Sequence, residues 1–328
     1  MSCGGAGLVR TCADVVTAWQ IGVLAGILGA VFLVLASDAA RAGSYACAAL
    51  GGLLLAAFWQ QSGFFMHDFM HSQVTHRSSW DYWGGVFFGT VCFGVNGTWW
   101  KEEHTIHHSL TNIYDDEYVV DPQASEAIWA QNVKLLPLFN RWQRTMFRLQ
   151  HLYFLPMLVV AGRVGIMVDS FITERRAHVW AAFILHWAWV VYLLQMLPNW
   201  QTQLLFYTVA AFGQGILHAQ LLISHYSKDF VHRKDVPELN FVQWQVGVNQ
   251  NISCPPWMDW FHGGLHFHIE HHLLPRMPRN RLRDVSVDLR KLCAKHNLEY
   301  DSKSFFATVA LTVKHLKSVA ALAVADPR

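Results

Sequence analysis

Apolar residues run almost without interruption through four stretches of about twenty positions, residues 17–37, 45–66, 177–197 and 203–224. As helices rising 1.5 Å per residue, each is long enough to cross the roughly 30 Å of hydrocarbon in a bilayer. Short loops, "DAARAG" and "PNWQT", join the first stretch to the second and the third to the fourth, so the pattern predicts two helical hairpins. The second loop carries no charge, whereas Lys and Arg collect outside both hairpins. That asymmetry places the loops outside and both termini in the cytosol.

Three further apolar runs break the pattern. Residues 84–95 are too few to span and include four glycines. Residues 151–171 are numerous enough but are interrupted by Pro156, Arg163 and Asp169. Both are expected to lie in the membrane interface or to dip into it. The run 305–325 has Lys314, His315 and Lys317 midway and reads as an interfacial or packed helix. The expected fold class is therefore all-α: an integral membrane protein, one domain over residues 1–328, with four spans, interfacial helices and a cytosolic cap.

Composition sharpens this. The chain is 53% hydrophobic and 15% charged, against roughly 25% charged in an ordinary soluble domain. A net charge of +2 supplies no field for nucleic acid, which is not an expected partner. Cys3, Cys12, Cys47, Cys92, Cys254 and Cys293 form no CxxC pair, so neither a zinc ribbon nor a disulfide framework is indicated. Cys47 and Cys92 read as small buried hydrophobes. The segment "MSCGGAGLVRTCADVV" has neither the charged start and apolar run of a secretory signal nor the arginines and serines of a transit peptide.

The chemistry lies in the histidines. Three five-residue windows, "HDFMH", "HTIHH" and "HIEHH", hold His67, His71, His104, His107, His108, His268, His271 and His272. These fifteen positions hold eight of the 19 histidines, where chance would put about one. Residues at i, i+3 and i+4 share a helix face, roughly 5–6 Å apart at Cβ, so each window aims its imidazoles at one point. Eight converging rings exceed the four positions of a zinc site, which implies more than one metal. Imidazole suits Zn, Cu, Fe and Ni alike. The Glu-x-x-His spacing of ferritin-like di-iron bundles is missing, which leaves a histidine-rich dinuclear centre. Two crossings separate the second window from the third, so all three face the cytosol provided residues 151–171 do not cross.

His225, at the cytosolic end of the fourth span, is expected as a ninth ligand. His218, two turns deeper, is a weaker candidate. Asp68, Glu103 and Glu270 are candidates to accept the second ring N–H of a ligand, against the plain alternative of solvated carboxylates. His76, His262 and His266 stand beside the windows and read as supporting or structural residues. His151, His178, His186, His232, His296 and His315 read as packing or surface residues.

At these residues the sequence resembles the membrane-bound fatty acid desaturases, and within them the front-end group of acyl-lipid and sphingolipid long-chain-base enzymes. The similarity covers about residues 59–305. Its most specific stretches are "GVNGTWWKEEHTIHHSLTN", "NISCPPWMDWFHGGLHFHIEHHLLPRMPRNRLRDVS" and "LCAKHNLEYDSKSF". The resemblance implies two iron ions on the histidines, activation of O2, and a cis double bond inserted into an acyl chain of a membrane lipid or acyl-CoA. It implies residence in the endoplasmic reticulum, with a plastid membrane as the lesser alternative.

This chain departs from the group in having His266 and His268 where glutamine is usual, and Ser72 after His71. It also lacks the HPGG haem motif of a fused cytochrome b5 domain. A separate carrier, cytochrome b5 or a ferredoxin, is then expected to bring electrons, with Arg276, Arg279, Arg281 and Arg283 as a basic landing site or an anionic-lipid contact. Trp99, Trp100, Trp257, Trp260 and Phe261 are expected either to wall the metals or to belong to the interface belt. Two rivals remain: an acyl or sphingoid hydroxylase on the same centre, and a non-enzymatic metal carrier or receptor.

Overall fold

The computed structural model describes residues 6–124, 128–238 and 240–325; Cys3 lies outside them. In chain order the α-helices are α1 (Ala6–Leu35), α2 (Asp38–Arg41), α3 (Tyr45–Met70), α4 (Ser78–Gly85), α5 (Gly97–Leu110), α6 (Arg141–Phe147) and α7 (Gln150–Asp169). They continue with α8 (Ala177–Gln195), α9 (Trp200–Tyr226), α10 (Phe241–Val248), α11 (His268–Leu273), α12 (Leu282–Lys295) and α13 (Phe305–Ala325). The strands are β1 (Ile113–Tyr114), β2 (Val231–His232), β3 (Asn251–Ser253) and β4 (Ser302–Ser304), paired in parallel as β1–β2 and β3–β4. The fold is all-α apart from these two short ladders.

By length and composition, five helices among the described residues can cross a membrane: Thr17–Leu35, Gln150–Asp169, Ala177–Gln195, Trp200–Tyr226 and Phe305–Ala323. The chain is thus a multi-pass membrane protein. Outward residues such as Leu33 (77% exposed) and Ile184 (68%) carry no polar group to lose to lipid. Two of the five are runs that the sequence pattern assigned to the interface. Conversely α3, predicted as the second span, is outside this set. Its later half carries Gln60, Gln61, Ser62, His67 and Asp68, all buried within the protein. One of them is paired across helices, Gln20 Nε2 donating to Gln61 Oε1 at 3.1 Å.

The chain divides into two compact units, residues 1–101 with 159–218 and residues 102–158 with 219–328. In the first, α1 packs on α3 around a core that includes Leu35, Leu55, Trp59 and Phe206. Glycine makes the closest approach possible, since a Cβ on Gly52 would lie 2.6 Å from the Phe206 carbonyl oxygen. After α4 the chain winds as a π-helix, Val86–Phe93. Its widened turns leave carbonyls that other residues must satisfy. His186 Nδ1 (2.9 Å) and Trp189 Nε1 (2.8 Å) both bond the Val91 carbonyl, and Arg163 Nη2 donates to that of Phe93 at 2.8 Å.

This arrangement explains why Arg163 does not interrupt α7, which runs unbroken through it and through Pro156. The guanidinium is buried 3.4 Å above the Trp59 ring, where π-electrons and the carbonyl on Nη2 replace part of its water, while Nε and Nη1 have no hydrogen-bond partner. Gly94 then turns the chain at φ +84. Asn96 caps α5, its Oδ1 accepting from Thr98 N (3.1 Å) and Trp99 N (3.2 Å). Asn96 Nδ2 in turn donates to Glu174 Oε2 at 2.6 Å and to the Ser170 carbonyl at 3.0 Å. Hydrogen bonding from Arg176 holds the buried Glu174 carboxyl down at about 2. The start of the helix that carries the second window is thereby fixed.

In the second unit, one core joins Trp129, Phe154, Ile223, Tyr226 and Leu316, and another joins Val246, Ile269, Leu289 and Cys293. The β1–β2 ladder ties the chain just after α5 to the chain just after α9. The β3–β4 ladder ties the approach to α11 to the start of α13.

Candidate metal centre

In the first unit, α3 runs on through the first histidine window to Met70 instead of ending at it. His67 and His71 therefore lie one turn apart, ring centroids 4.5 Å from each other, with the Trp100 ring 5.2 Å from His67 and 6.0 Å from His71. Trp100 is thus an apolar wall to this pair, whereas Trp257 is 69% exposed and Trp260 42%. Asp68 Oδ1 stands 3.6 Å from His67 Nδ1, an ion-pair distance beyond a hydrogen bond.

The second unit gathers seven of the predicted histidines: His104, His107 and His108 from α5, His225 from the end of α9, and His268, His271 and His272 from α11. All seven are buried. Asn112 supplies the local geometry. It takes a left-handed turn at φ 53 just after α5, and its side chain donates to the Asp229 carbonyl at 3.3 Å. That link holds the ends of α5 and α9 side by side.

Short as it is, α11 is anchored at both faces. Asn251 Oδ1 accepts from Ile269 N at 2.8 Å, while Asn251 Nδ2 (2.8 Å) and the Tyr300 hydroxyl (2.5 Å) donate to Glu270. Glu270 therefore anchors the helix and is neither the ring-orienting acceptor nor the solvated carboxylate that the sequence left as alternatives. Burial pushes its carboxyl up.

Hydrogen bonding sorts the ring nitrogens. His107 Nδ1 lies 2.9 and 3.0 Å from the two oxygens of Asp121. His272 Nδ1 faces Gln245 Oε1 at 3.2 Å, His268 Nδ1 the Leu265 carbonyl at 3.3 Å, and His225 Nδ1 the Val248 carbonyl at 3.4 Å. These acceptors mark Nδ1 as the donor nitrogen of each ring. The Nε2 lone pairs are left facing one another, 3.2 Å between His107 and His225 and 2.6 Å between His268 and His225. His108 and His104 approach Nε2 to Nε2 at 3.0 Å, with Gln123 Nε2 3.0 Å from His104 Nδ1.

Protonation does not relieve the crowding, because burial and then the neighbouring rings push His272 well below its ordinary value. Converging lone pairs in a buried site are the arrangement a cation relieves. Ligand atoms of His107, His225 and His272 all lie within 4.8 Å of one another, as do those of His104 and His271. The donor set fits borderline metals such as iron. His218 joins neither group.

Asp121, Gln123 and Gln245 are the functional residues that the sequence pattern missed. Asp121 is buried, accepts also from Asn112 N (2.9 Å) and Gln123 N (3.0 Å), and so pins its own loop while holding His107. Gln245 Nε2 donates to the His108 carbonyl at 3.1 Å, so one side chain spans two histidine windows. The "DP" that begins the loop turn at Asp121 is the sole local signal, and it is weak.

These features, with the family match, define the class. The fatty acid desaturase family model matches residues 43–304, and the chain belongs to that family. It is 32% identical over 294 residues to a Delta(8)-fatty-acid desaturase of Helianthus annuus, covering 85% of this chain and 64% of that protein. Over 284 residues it is 33% identical to an Acyl-lipid (9-3)-desaturase of Borago officinalis, covering 82% and 63%. A Delta(6)-fatty-acid desaturase of Caenorhabditis elegans is 32% identical over 282 residues, covering 81% and 63%. The chain thus spans under two thirds of the length of these relatives. No solved structure matches it.

Proposed function

We propose that the chain is an O2-dependent di-iron desaturase of the front-end type, inserting a cis double bond into a fatty acyl chain of a membrane lipid or acyl-CoA. The observation that carries this reading is the facing of Nε2 atoms among His107, His225 and His268, with a ligand atom of His272 within 4.8 Å of those of His107 and His225, in a chain of the desaturase family. His67, His71, His104, His107, His108, His268, His271 and His272, with His225 as a ninth, would hold the two irons. Bound iron supplies the oxidising power that no side-chain acid or base has toward an unactivated CH2. The chain's own residues do the rest. Asp121, Gln245 and two backbone carbonyls keep the Nδ1 protons in place, and the burial of all seven rings excludes water from the reacting volume.

The same unit bears on topology. Because His107 and His272 lie together, ring centroids 5.0 Å apart, the chain between them crosses the membrane an even number of times. Of α7, α8 and α9, the last two form the hairpin, which favours α7 as an interfacial helix despite its length. We therefore retain four spans, at 17–37, 45–66, 177–197 and 203–224. The histidine cap and both termini are cytosolic, in the endoplasmic reticulum, and residues 1–328 act as one desaturase domain. Electrons come from cytochrome b5 or a ferredoxin.

Arg283 is bound bidentately to Asp259 (2.7 and 2.5 Å). The docking patch proposed for that donor is the run Arg276, Arg279, Arg281 and Arg283, in which Arg281 also stands 3.5 Å from Asp284. The test is lipid profiling of a host expressing the chain and fed defined polyunsaturated acyl precursors. A new double bond on the carboxyl side of an existing one supports the reading; a hydroxylated product, or none with iron bound, overturns it. Alanine at each of the eight window histidines should abolish product while membrane insertion persists, and three or more fully active variants would refute the di-iron assignment.

A further inference from the structure

Among the described residues two groups of metal-ligating side chains lie outside the histidine windows, Asp115, Asp116 and His232 without a buried member, and a second built on the buried His266. Cys254, Asp259 and His266 each offer a ligand atom, and these atoms lie within 4.8 Å of one another. His266 is 2% exposed, and neither of its ring nitrogens has a hydrogen-bond partner. Its Nε2 lies 3.1 Å from Asp259 Oδ1, close enough for a hydrogen bond but without the alignment of one. A buried polar ring in that state costs roughly 1–3 kcal/mol unless something else satisfies it. The rings nearest to it are His262 (5.3 Å) and Phe267 (4.1 Å), not those of the window histidines.

We propose that Cys254, Asp259 and His266 form a second kind of metal site, for a divalent cation of zinc type, that clasps the loop between β3 and α11. A thiolate, an imidazole and one carboxylate oxygen make a donor set suited to zinc and unsuited to magnesium or calcium. An N···O separation of 3.1 Å fits two ligands on neighbouring corners of a tetrahedron with metal bonds of about 2.0–2.1 Å. Three protein ligands leave the fourth corner open toward the half-exposed Cys254.

The backbone holds the ligands in place without the metal. Ile252 N donates to the His266 carbonyl at 3.0 Å, setting His266 beside the strand that leads to Cys254. Gly264 N donates to the Asp259 carbonyl at 3.1 Å and closes the turn that leads from Asp259 to His266. Gly264 has φ +77, and a Cβ there would come within 2.8 Å of Arg279 Cβ, so the turn admits no side chain. Arg283 holds both Asp259 oxygens, but each carboxylate oxygen keeps a further lone pair. The guanidinium thus orients the ligand as supporting residues of metal sites commonly do.

The site stands independently of the proposed function. The test uses the whole chain in detergent micelles, saturated with iron and then titrated with zinc alone, with metal content measured by mass spectrometry. The expected result is one zinc per chain bound without loss of iron. Cys254→Ser and His266→Ala should each weaken zinc binding at least tenfold and leave iron content unchanged. Cobalt(II) in place of zinc should give a thiolate-to-cobalt charge-transfer band that Cys254→Ser removes; its presence in the parent protein needs no variant to fold. Three outcomes overturn the proposal: no zinc beyond the iron, zinc gained only as iron is lost, or a cobalt spectrum without the thiolate band.

Discussion

Replacing Asp121 with asparagine keeps the shape of the side chain and removes its charge. The carboxylate now meets three donors, His107 Nδ1, Asn112 N and Gln123 N, all at 2.9–3.0 Å. An amide has one oxygen where the carboxylate has two, so its NH2 group must face one of those N–H groups. A buried donor left unmet costs about 1–3 kcal/mol. Asn112 N and Gln123 N bond different oxygens, so either orientation of the amide sets its NH2 against one of them and also against His107 Nδ1, leaving His107 a single neutral acceptor in place of two carboxylate oxygens. The ring proton can then move to Nε2, the atom proposed to bind iron. Loss of such a support lowers metal affinity about 10–100-fold, or roughly 1.4–2.7 kcal/mol.

The assay is iron content and iron affinity of the purified protein, read for the parent, Asp121→Asn, His107→Ala and the double variant. If Asp121 acts through His107, the double variant should bind iron no more weakly than His107→Ala alone. Parent-like iron affinity in Asp121→Asn, or effects that simply add, would refute the role assigned to the carboxylate.

Glu174→Gln should lower thermal stability at pH 7 and flatten its dependence on acid. The Glu174 carboxyl falls from an ordinary 4.5 to about 2 in the fold, so its contribution is present above 4.5 and is lost as pH drops toward 2; identical acid profiles in parent and variant would rule this out. Gly94→Ala forces a left-handed residue, at about 1–2 kcal/mol, and sets a Cβ 2.5 Å from His186 Nε2. Thermal unfolding in micelles should show a loss larger than the backbone strain alone. His268→Gln should be milder than His268→Ala in iron content and turnover, since an amide oxygen can still reach toward the metals; activity no better than that of His268→Ala would sink this expectation. Reversing the charges of Arg276 and Arg281 should slow turnover with a protein electron donor in a manner sensitive to ionic strength. It should spare a chemically reduced single turnover, and equal loss in both assays would remove the docking role.

Much of this was legible along the chain because it is periodic or local. The apolar runs marked helices, and i, i+3, i+4 spacing put the histidines of each window on one face. His225 was legible from its place at the end of a polar-tipped span, and it sits against His107 and His268. What escaped depends on partners far away in sequence. Arg163 looked like a break in α7 because nothing nearby announces Trp59 or the open carbonyl of Phe93. Asp121 and Gln245 are ordinary polar residues until the fold lays them against His107, His108 and His272. Glu270, next to three window histidines in sequence, turns away from them because Asn251 and Tyr300 claim its oxygens. Adjacency in sequence was a poorer guide to these roles than the contents of the opposing element.

The π-helix at Val86–Phe93 makes this stretch sensitive to length more than to content. Each α-helical residue turns the chain about 100° and advances it 1.5 Å, and a wider winding holds extra residue in the same advance. Deleting one residue would let the segment relax to ordinary helix, a local gain. It would also draw Gly94 off His186 and Asn96 off Ser170 and Glu174, and so turn the first residues of α5. The segment should therefore accept exchanges among its apolar side chains while rejecting single insertions and deletions, although none of its residues belongs to a histidine window.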